Sequence, residues 1–213
     1  DIEAVKGVAI KNSFFNGNLM YTNDFAEYFG YGLTVKIVEN PDGVFDPRAD
    51  IALYGVEANE NFLWGAKLDG PKVAIEDSTF NRNVSDSVSF IDDTGLLVVS
   101  TGDVFLRNVE ANDNRLIGAD IDAGGRVAIS DSSFSRNFGT TVDGDGVETY
   151  WGYGLQVVSG SSISLGGDTG VLVDDNYLFG ANLNAGSNVS IVGSSFSNNG
   201  IPEDQSEWGL NPN

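Results

Sequence analysis

The chain repeats itself, and the repeat decides most of what it can fold into. Four copies of one unit stand at 8–18 (VAIKNSFFNGN), 73–83 (VAIEDSTFNRN), 127–137 (VAISDSSFSRN) and 189–199 (VSIVGSSFSNN). A second unit alternates with them, at 51–61 (IALYGVEANEN) and 104–114 (VFLRNVEANDN). Residues 163–176 supply a third member of that set once Asp168, Thr169 and Gly170 are taken as an insertion. We name the first set Phe rungs and the second Val-Ala rungs. A short apolar piece precedes each rung. It reads Gly-Leu-x-Val before Val-Ala rungs, from Gly32, Gly95 and Gly154, and Leu-x-Gly-Ala-x-Leu/Ile before Phe rungs, at 63–68, 116–121 and 178–183. One rung takes about 22 residues where no loop intervenes, and super-repeats of two rungs start near 31, 94 and 153.

Position by position, the unit has the chemistry of a strand, a bend, a strand and a corner. The first strand ends on Asn12, Gly55, Asp77, Asn108, Asp131, Gly167 or Gly193. These residue types accept a left-handed backbone, so a tight bend belongs there. The unit closes on Asn18, Asn61, Asn83, Asn114, Asn137, Asn176 or Asn199. Asparagine at one corner of every coil can stack its side-chain amides into a hydrogen-bonded ladder. With side chains alternating along a strand, Phe rungs point Ser78 and Phe80, or Ser132 and Phe134, inward. Val-Ala rungs point Val56 and Ala58, or Val109 and Ala111, to the matching places. Large then lies beside small, which keeps the volume of each pair of rungs constant, as close packing requires. An antiparallel sandwich is the competing reading, but its turns carry no fixed corner Asn. No apolar stripe of helical period appears, so helical solenoids are excluded.

The pattern Val-x-Ile-x-[Asn/Asp]-Ser-x-Phe-x-x-Asn, followed by Gly-Leu-x-Val, resembles the right-handed parallel β-helix repeat of the pectate-lyase-like superfamily. It is most similar to long, repeat-rich bacterial surface proteins. The resemblance implies an all-β solenoid of about seven coils, roughly 35 Å long at the spacing of strands. It also implies an extracellular or cell-surface setting, and a non-enzymatic structural or adhesive module, a segment of a surface or filament protein. The alternative is a carbohydrate-active enzyme, a polysaccharide lyase or glycoside hydrolase, because one fold carries many functions. The family's catalytic pattern does not carry over: the Gly-His-Gly segment of its polygalacturonases needs His, and the chain has none. No catalytic residue is assigned.

Composition narrows the partners. Without Cys there is no disulfide framework, and without His no Ser-His-Asp triad. A net charge of -20 repels nucleic acid backbones and anionic lipid. No apolar run reaches the roughly 20 residues of a membrane span. Segments 19–30, 84–93, 138–152 and 200–207 all leave the corner after a Phe-rung Asn, and together hold 11 acidic residues and no basic one. Their aromatics make Tyr28, Tyr150 and Trp151, with Trp208 just beyond, the candidate face for a glycan or protein ligand. Asp143 and Asp145, with Glu148, form the candidate calcium site, since alternating carboxylates in a Gly-rich loop suit a hard cation. The competing reading folds these loops back over the coil. The chain begins within a strand at Asp1-Ile2-Glu3-Ala4 and closes on Trp208-Gly209-Leu210, the start of another Val-Ala rung. The expectation is therefore a single β-helix segment, 1–213, a fragment with further coils as neighbours.

Overall fold

The computed structural model describes residues 1–18, 21–22, 28–42, 46, 49–84, 93–142 and 148–200. Among them there is no helix, and so none long and apolar enough to cross a membrane. In chain order, β1 (Ile2–Ala4) and β2 (Val8–Phe14) are followed by a small hairpin, β3 (Tyr21–Thr22) and β4 (Tyr28–Phe29). Then come β5 (Leu33–Ile37), β6 (Asp50–Glu57), β7 (Ala66–Gly70), β8 (Lys72–Thr79), β9 (Thr94–Ser100), β10 (Val104–Glu110), β11 (Ile117–Ala123) and β12 (Val127–Ser130). A second hairpin, β13 (Gly139–Val142) and β14 (Glu148–Trp151), precedes β15 (Tyr153–Ser159), β16 (Ile163–Gly166), β17 (Phe179–Ala185) and β18 (Val189–Ile191).

The chain alternates between two seven-stranded parallel sheets. The first is ordered β1-β5-β7-β9-β11-β15-β17, the second β2-β6-β8-β10-β12-β16-β18. A third, shorter side closes each layer. There Phe15 donates to the Glu57 carbonyl, Ala58 to Thr79, Phe80 to Glu110, Ala111 to Ser133, Phe134 to Leu172 and Val173 to Ser195, at 2.7–2.9 Å. Nearly all pairing is therefore between layers, and a parallel sheet of this kind needs cover on its inner face. The apolar pieces before Val-Ala rungs become β5, β9 and β15, and those before Phe rungs become β7, β11 and β17.

The interior follows the alternation of large and small. Phe80 and Phe134 are fully buried, and between them lies a layer bearing Val109 and Ala111. The first sheet answers in the opposite sense: Leu33, Ala66, Leu96, Ala119, Leu155 and Ala181 are register mates. A Phe rung thus brings Ala from the first sheet, and a Val-Ala rung brings Leu, so each layer fills a similar volume. The serine of the Phe rung has its own task. Ser78 Oγ donates to the Glu76 carbonyl (2.7 Å) and accepts from the Val56 N–H of the layer before (3.1 Å). Ser132 repeats this with Ser130 and Val109, and Ser194 with Val192 and Val171. The left-handed bend before Val56 or Val109 turns that N–H inward, where it would otherwise be buried without a partner.

Candidate functional site

The corner asparagines form a continuous file. Each backbone N–H and each side-chain amide donates to Oδ1 of the Asn in the next layer: Asn18 to Asn61, Asn61 to Asn83, Asn83 to Asn114, Asn114 to Asn137, Asn137 to Asn176 and Asn176 to Asn199, at 2.7–3.2 Å. Asn61, Asn83, Asn114, Asn137 and Asn176 are buried. A second file runs two residues earlier with opposite polarity, each N–H donating to the side-chain oxygen of the preceding layer. Asn59 donates to Asn16, Asn81 to Asn59, Asn112 to Asn81, Ser135 to Asn112, Asp174 to Ser135 and Ser197 to Asp174, at 2.6–3.1 Å. Sequence reasoning missed this file because its residue type drifts from Asn to Ser and Asp. The signal that persists is a side-chain oxygen at that place in every rung.

Both corners are left-handed. Asn12, Gly55, Asp77, Asn108, Asp131, Gly167 and Gly193 have φ between +49° and +107°. So do the residues just before the corner Asn: Gly17, Glu60, Arg82, Asp113, Arg136, Asp175 and Asn198, at +53° to +67°. Arg and Glu do not announce such a bend. Here they form cross-layer ion pairs instead, Arg82 with Glu60 (2.7 Å) and Arg136 with Asp113 (2.8 Å). At the first bend, the Asn108 amide donates to Asp77 (2.8 Å) and, as the larger of several causes, holds its carboxyl below the usual range. The Thr169 N–H does the same for Asp131.

The corner file leads directly into the first sheet, whose outer face holds the most varied chemistry. Its lead residues are Tyr31, Trp64, Thr94, Ile117, Tyr153 and Phe179, each one place before the glycine of the apolar piece, and of these Thr94 is buried. Tyr31 and Trp64 stack with ring centroids 4.5 Å apart and planes 17° apart, and Tyr153 and Phe179 stack at 5.4 Å and 28°. Beside the first pair lies a groove of about 330 Å³ lined by Glu3, Tyr31, Lys36, Trp64, Lys67 and Asp69, among others. Lys67 Nζ sits 4.7 Å from the Trp64 ring centre. Glu3, Lys36 and Asp69 are register neighbours, so charge alternates across the strands and the groove is close to neutral.

Further along the same face, Asp120 and Asp122 stand two residues apart on β11 and so share its outward side. Burial pushes the Asp120 carboxyl above its ordinary range, the Asp122 charge adds to this, and a hydrogen bond from Gln156 (3.3 Å) works against it. Between the usual carboxylate pKa and the raised one, folded chains bind the proton that unfolded chains release, so this group costs stability as pH rises. Asp120→Asn is accordingly expected to raise the melting temperature at pH 7. The gain should shrink as pH falls through the raised value, which a pair of melting curves against pH would read out.

The ligand-face candidates come from the hairpins. Tyr150 packs on Tyr177 at 5.6 Å, and Phe138 meets the other side of that cluster at 5.0 Å. Tyr28 belongs to β4, and Trp151 and Glu148 to β14, but their side chains lie outside the described residues. Asp143, Asp145 and Trp208 lie outside them altogether. Among the described residues no three acidic groups converge as metal ligands would. Beneath the corner, Arg115 donates to Asp93 (2.9 Å), and both side chains are buried. Such a pair costs several kcal/mol per ion to desolvate and fixes geometry more than it adds stability.

The outer face of the second sheet carries a wider, shallower groove of about 470 Å³ around Phe105, floored by Ala74 and Ala128. Lys72 and Arg126 approach the Phe105 ring at 5.7 and 5.1 Å. Comparison of the chain with family models, with curated proteins and with solved structures finds no match to any of them.

Proposed function

We propose that this chain is a right-handed parallel β-helix of about seven coils, of the pectate-lyase-like kind, and a non-enzymatic adhesive and structural module of a large bacterial surface or filament protein. In this reading the stacked coils are a stiff rod that displays its acidic corner loops along one edge. The outer face of the first sheet binds a neutral glycan. The bacterial-surface setting rests on the resemblance of the repeat alone. The glycan reading is carried by one observation: the stacked Tyr31–Trp64 pair lies beside a charge-alternating groove, with a second stacked pair, Tyr153–Phe179, further along the same sheet. Aromatic rings offer flat apolar contact to sugar rings, and adjacent carboxylates and ammonium groups supply acceptors and donors for hydroxyls. The local charge balance favours a neutral sugar over a uronate.

Arrays of neutral and acidic oligosaccharides, read with calcium and with a chelator, test this. Binding of a neutral glycan that falls about tenfold or more in Trp64→Ala, with the circular dichroism spectrum unchanged, is the expected result. Retention of only acidic glycans, or indifference to Trp64, would remove the reading. The chelator arm separately tests Asp143, Asp145 and Glu148 as calcium ligands. A second reading, cleavage of a polysaccharide, draws on Asp120 and Asp122: two carboxylates on one face with one pKa raised have the makings of an acid and its partner. New reducing or unsaturated ends released from a bound polymer, and lost in Asp120→Asn, would favour it.

A further inference from the structure

The outward face of the second sheet is a grid of short rows running from layer to layer. Its middle row reads Ala52, Ala74, Phe105, Ala128 and Ser164 in five successive layers. An outward position that packs no core asks for nothing larger than Ala or Ser, and Phe105 alone breaks the row. A local rule broken without a structural need is where function is to be sought. Phe105 stands half-buried in the groove of about 470 Å³, with Ala74 on one side and Ala128, Ser164 and Gly166 on the other. Among the described residues its ring meets no other ring.

What meets the ring is charge. Lys72 Nζ lies 5.7 Å from its centre, from the layer before, and the Arg126 guanidinium 5.1 Å from it, from the layer after. The cations of this face differ in what else they hold. Lys72 faces Asp50 at 3.6 Å, and Arg107, in the next row, pairs with Glu76 at 2.7 Å. Arg126 is exposed, and among the described residues it forms no ion pair. The ring attracts the guanidinium, while the N–H groups at its rim remain as a fork that matches a carboxylate.

The same grid limits the size of the anion. Carboxylates alternate with cations from layer to layer: Asp50, Lys72, Asp103 and Arg126 in one row, Glu76 and Arg107 in another. Asp103 is held by the Arg126 backbone, whose N–H donates to its Oδ1 (2.7 Å). A polyanion laid along the rod therefore meets a carboxylate in every second layer, and the net charge of -20 repels it further. One carboxylate seated at Arg126 has a cation beside it, and charges beyond about 8 Å are largely screened at physiological ionic strength.

We propose that the Phe105 groove is a binding site for a small aromatic monocarboxylate, its ring on the floor of Ala128, Ser164 and Gly166 against Phe105 and its carboxylate on Arg126. No side chain of that floor is longer than a serine's, so a flat body can lie on it, and the volume suits a small molecule. The site lies on the other sheet from Tyr31 and Trp64, so it does not depend on the glycan reading.

Titration of the whole chain with naphthoate, followed by backbone amide chemical shifts, tests the proposal. Saturable shifts at millimolar ligand or below, centred on β10 and β12, are expected. Phe105→Ala gives that layer the residue of its neighbours and keeps the fold. It and Arg126→Gln should each weaken binding about fivefold or more, with the rest of the spectrum unchanged. Naphthamide, which has the same shape without the charge, and an oligouronate, which has many charges, should both bind more weakly than naphthoate. No saturable shift, shifts centred on Trp64 instead, equal binding of the amide, tighter binding of the oligouronate, or indifference to either variant would overturn the proposal.

Discussion

Asn114→Ala is expected to destabilise the chain by about 3–5 kcal/mol, because one truncation orphans two buried donors. Asn114 Oδ1 accepts both the backbone N–H and the side-chain amide of Asn83, each at 3.0 Å, and its own amide reaches Asn137 Oδ1 at 3.2 Å. Asn83 and Asn114 are 0% and 1% exposed, so water cannot replace the lost acceptor without opening the corner. For a chain of this length the loss corresponds to roughly 10 °C in melting temperature. Asn18→Ala removes an exposed end of the same file and is expected to cost well under half as much. Thermal or denaturant unfolding of the two variants decides the matter, and equal losses would mean that the file is not acting as a buried ladder.

Gly118→Ala should be harsher still and is expected to prevent folding or to cost more than about 3 kcal/mol. A Cβ there would sit 2.5 Å from the Gly154 carbonyl oxygen, 2.7 Å from that of Ala111 and 2.7 Å from Asn137 Nδ2. Two of these are backbone atoms of packed layers and cannot swing aside. The same crowding recurs at Gly65, Gly95, Gly154 and Gly180, each within 2.5–2.7 Å of a ladder amide. The glycine of each apolar piece thus makes room for the asparagine file rather than for an unusual backbone angle. Gly166→Ala is the control: its nearest neighbour would be the Val192 carbonyl oxygen at 3.4 Å, an ordinary contact, and a change within about 1 kcal/mol is expected. Expression yield and melting temperature of the two variants separate these outcomes.

The two alternating strand sets were legible in the sequence because a parallel sheet with one buried face writes a period of two. Leu33, Val35 and Ile37 are buried while Thr34 and Lys36 are not. Other features were illegible for physical reasons. The opposed file needs only an oxygen, so Asn112, Ser135 and Asp174 serve alike and no residue type repeats. The second left-handed corner falls on Glu60, Arg82 and Arg136, where the demand of the layers overrides a local preference of roughly 1 kcal/mol. Segments 19–30 and 138–152, read as plain loops, contain the antiparallel pairs Tyr21↔Phe29 and Gly139↔Trp151, held by residue pairing that the rung pattern does not describe. The candidate glycan face escaped notice because its aromatics sit one to a layer, about 20 to 35 residues apart in sequence, and meet only once the layers stack.

Stacked layers locked by a buried asparagine file hold the two sheets together. Hydrogen exchange of the side-chain amides, resolved by nuclear magnetic resonance, tests that most directly. The primary amide protons of Asn61, Asn83, Asn114, Asn137 and Asn176 should exchange as slowly as the backbone amides of β8, β10 and β12. Exchange at the rate of a free asparagine side chain, while those strands remain protected, would contradict it.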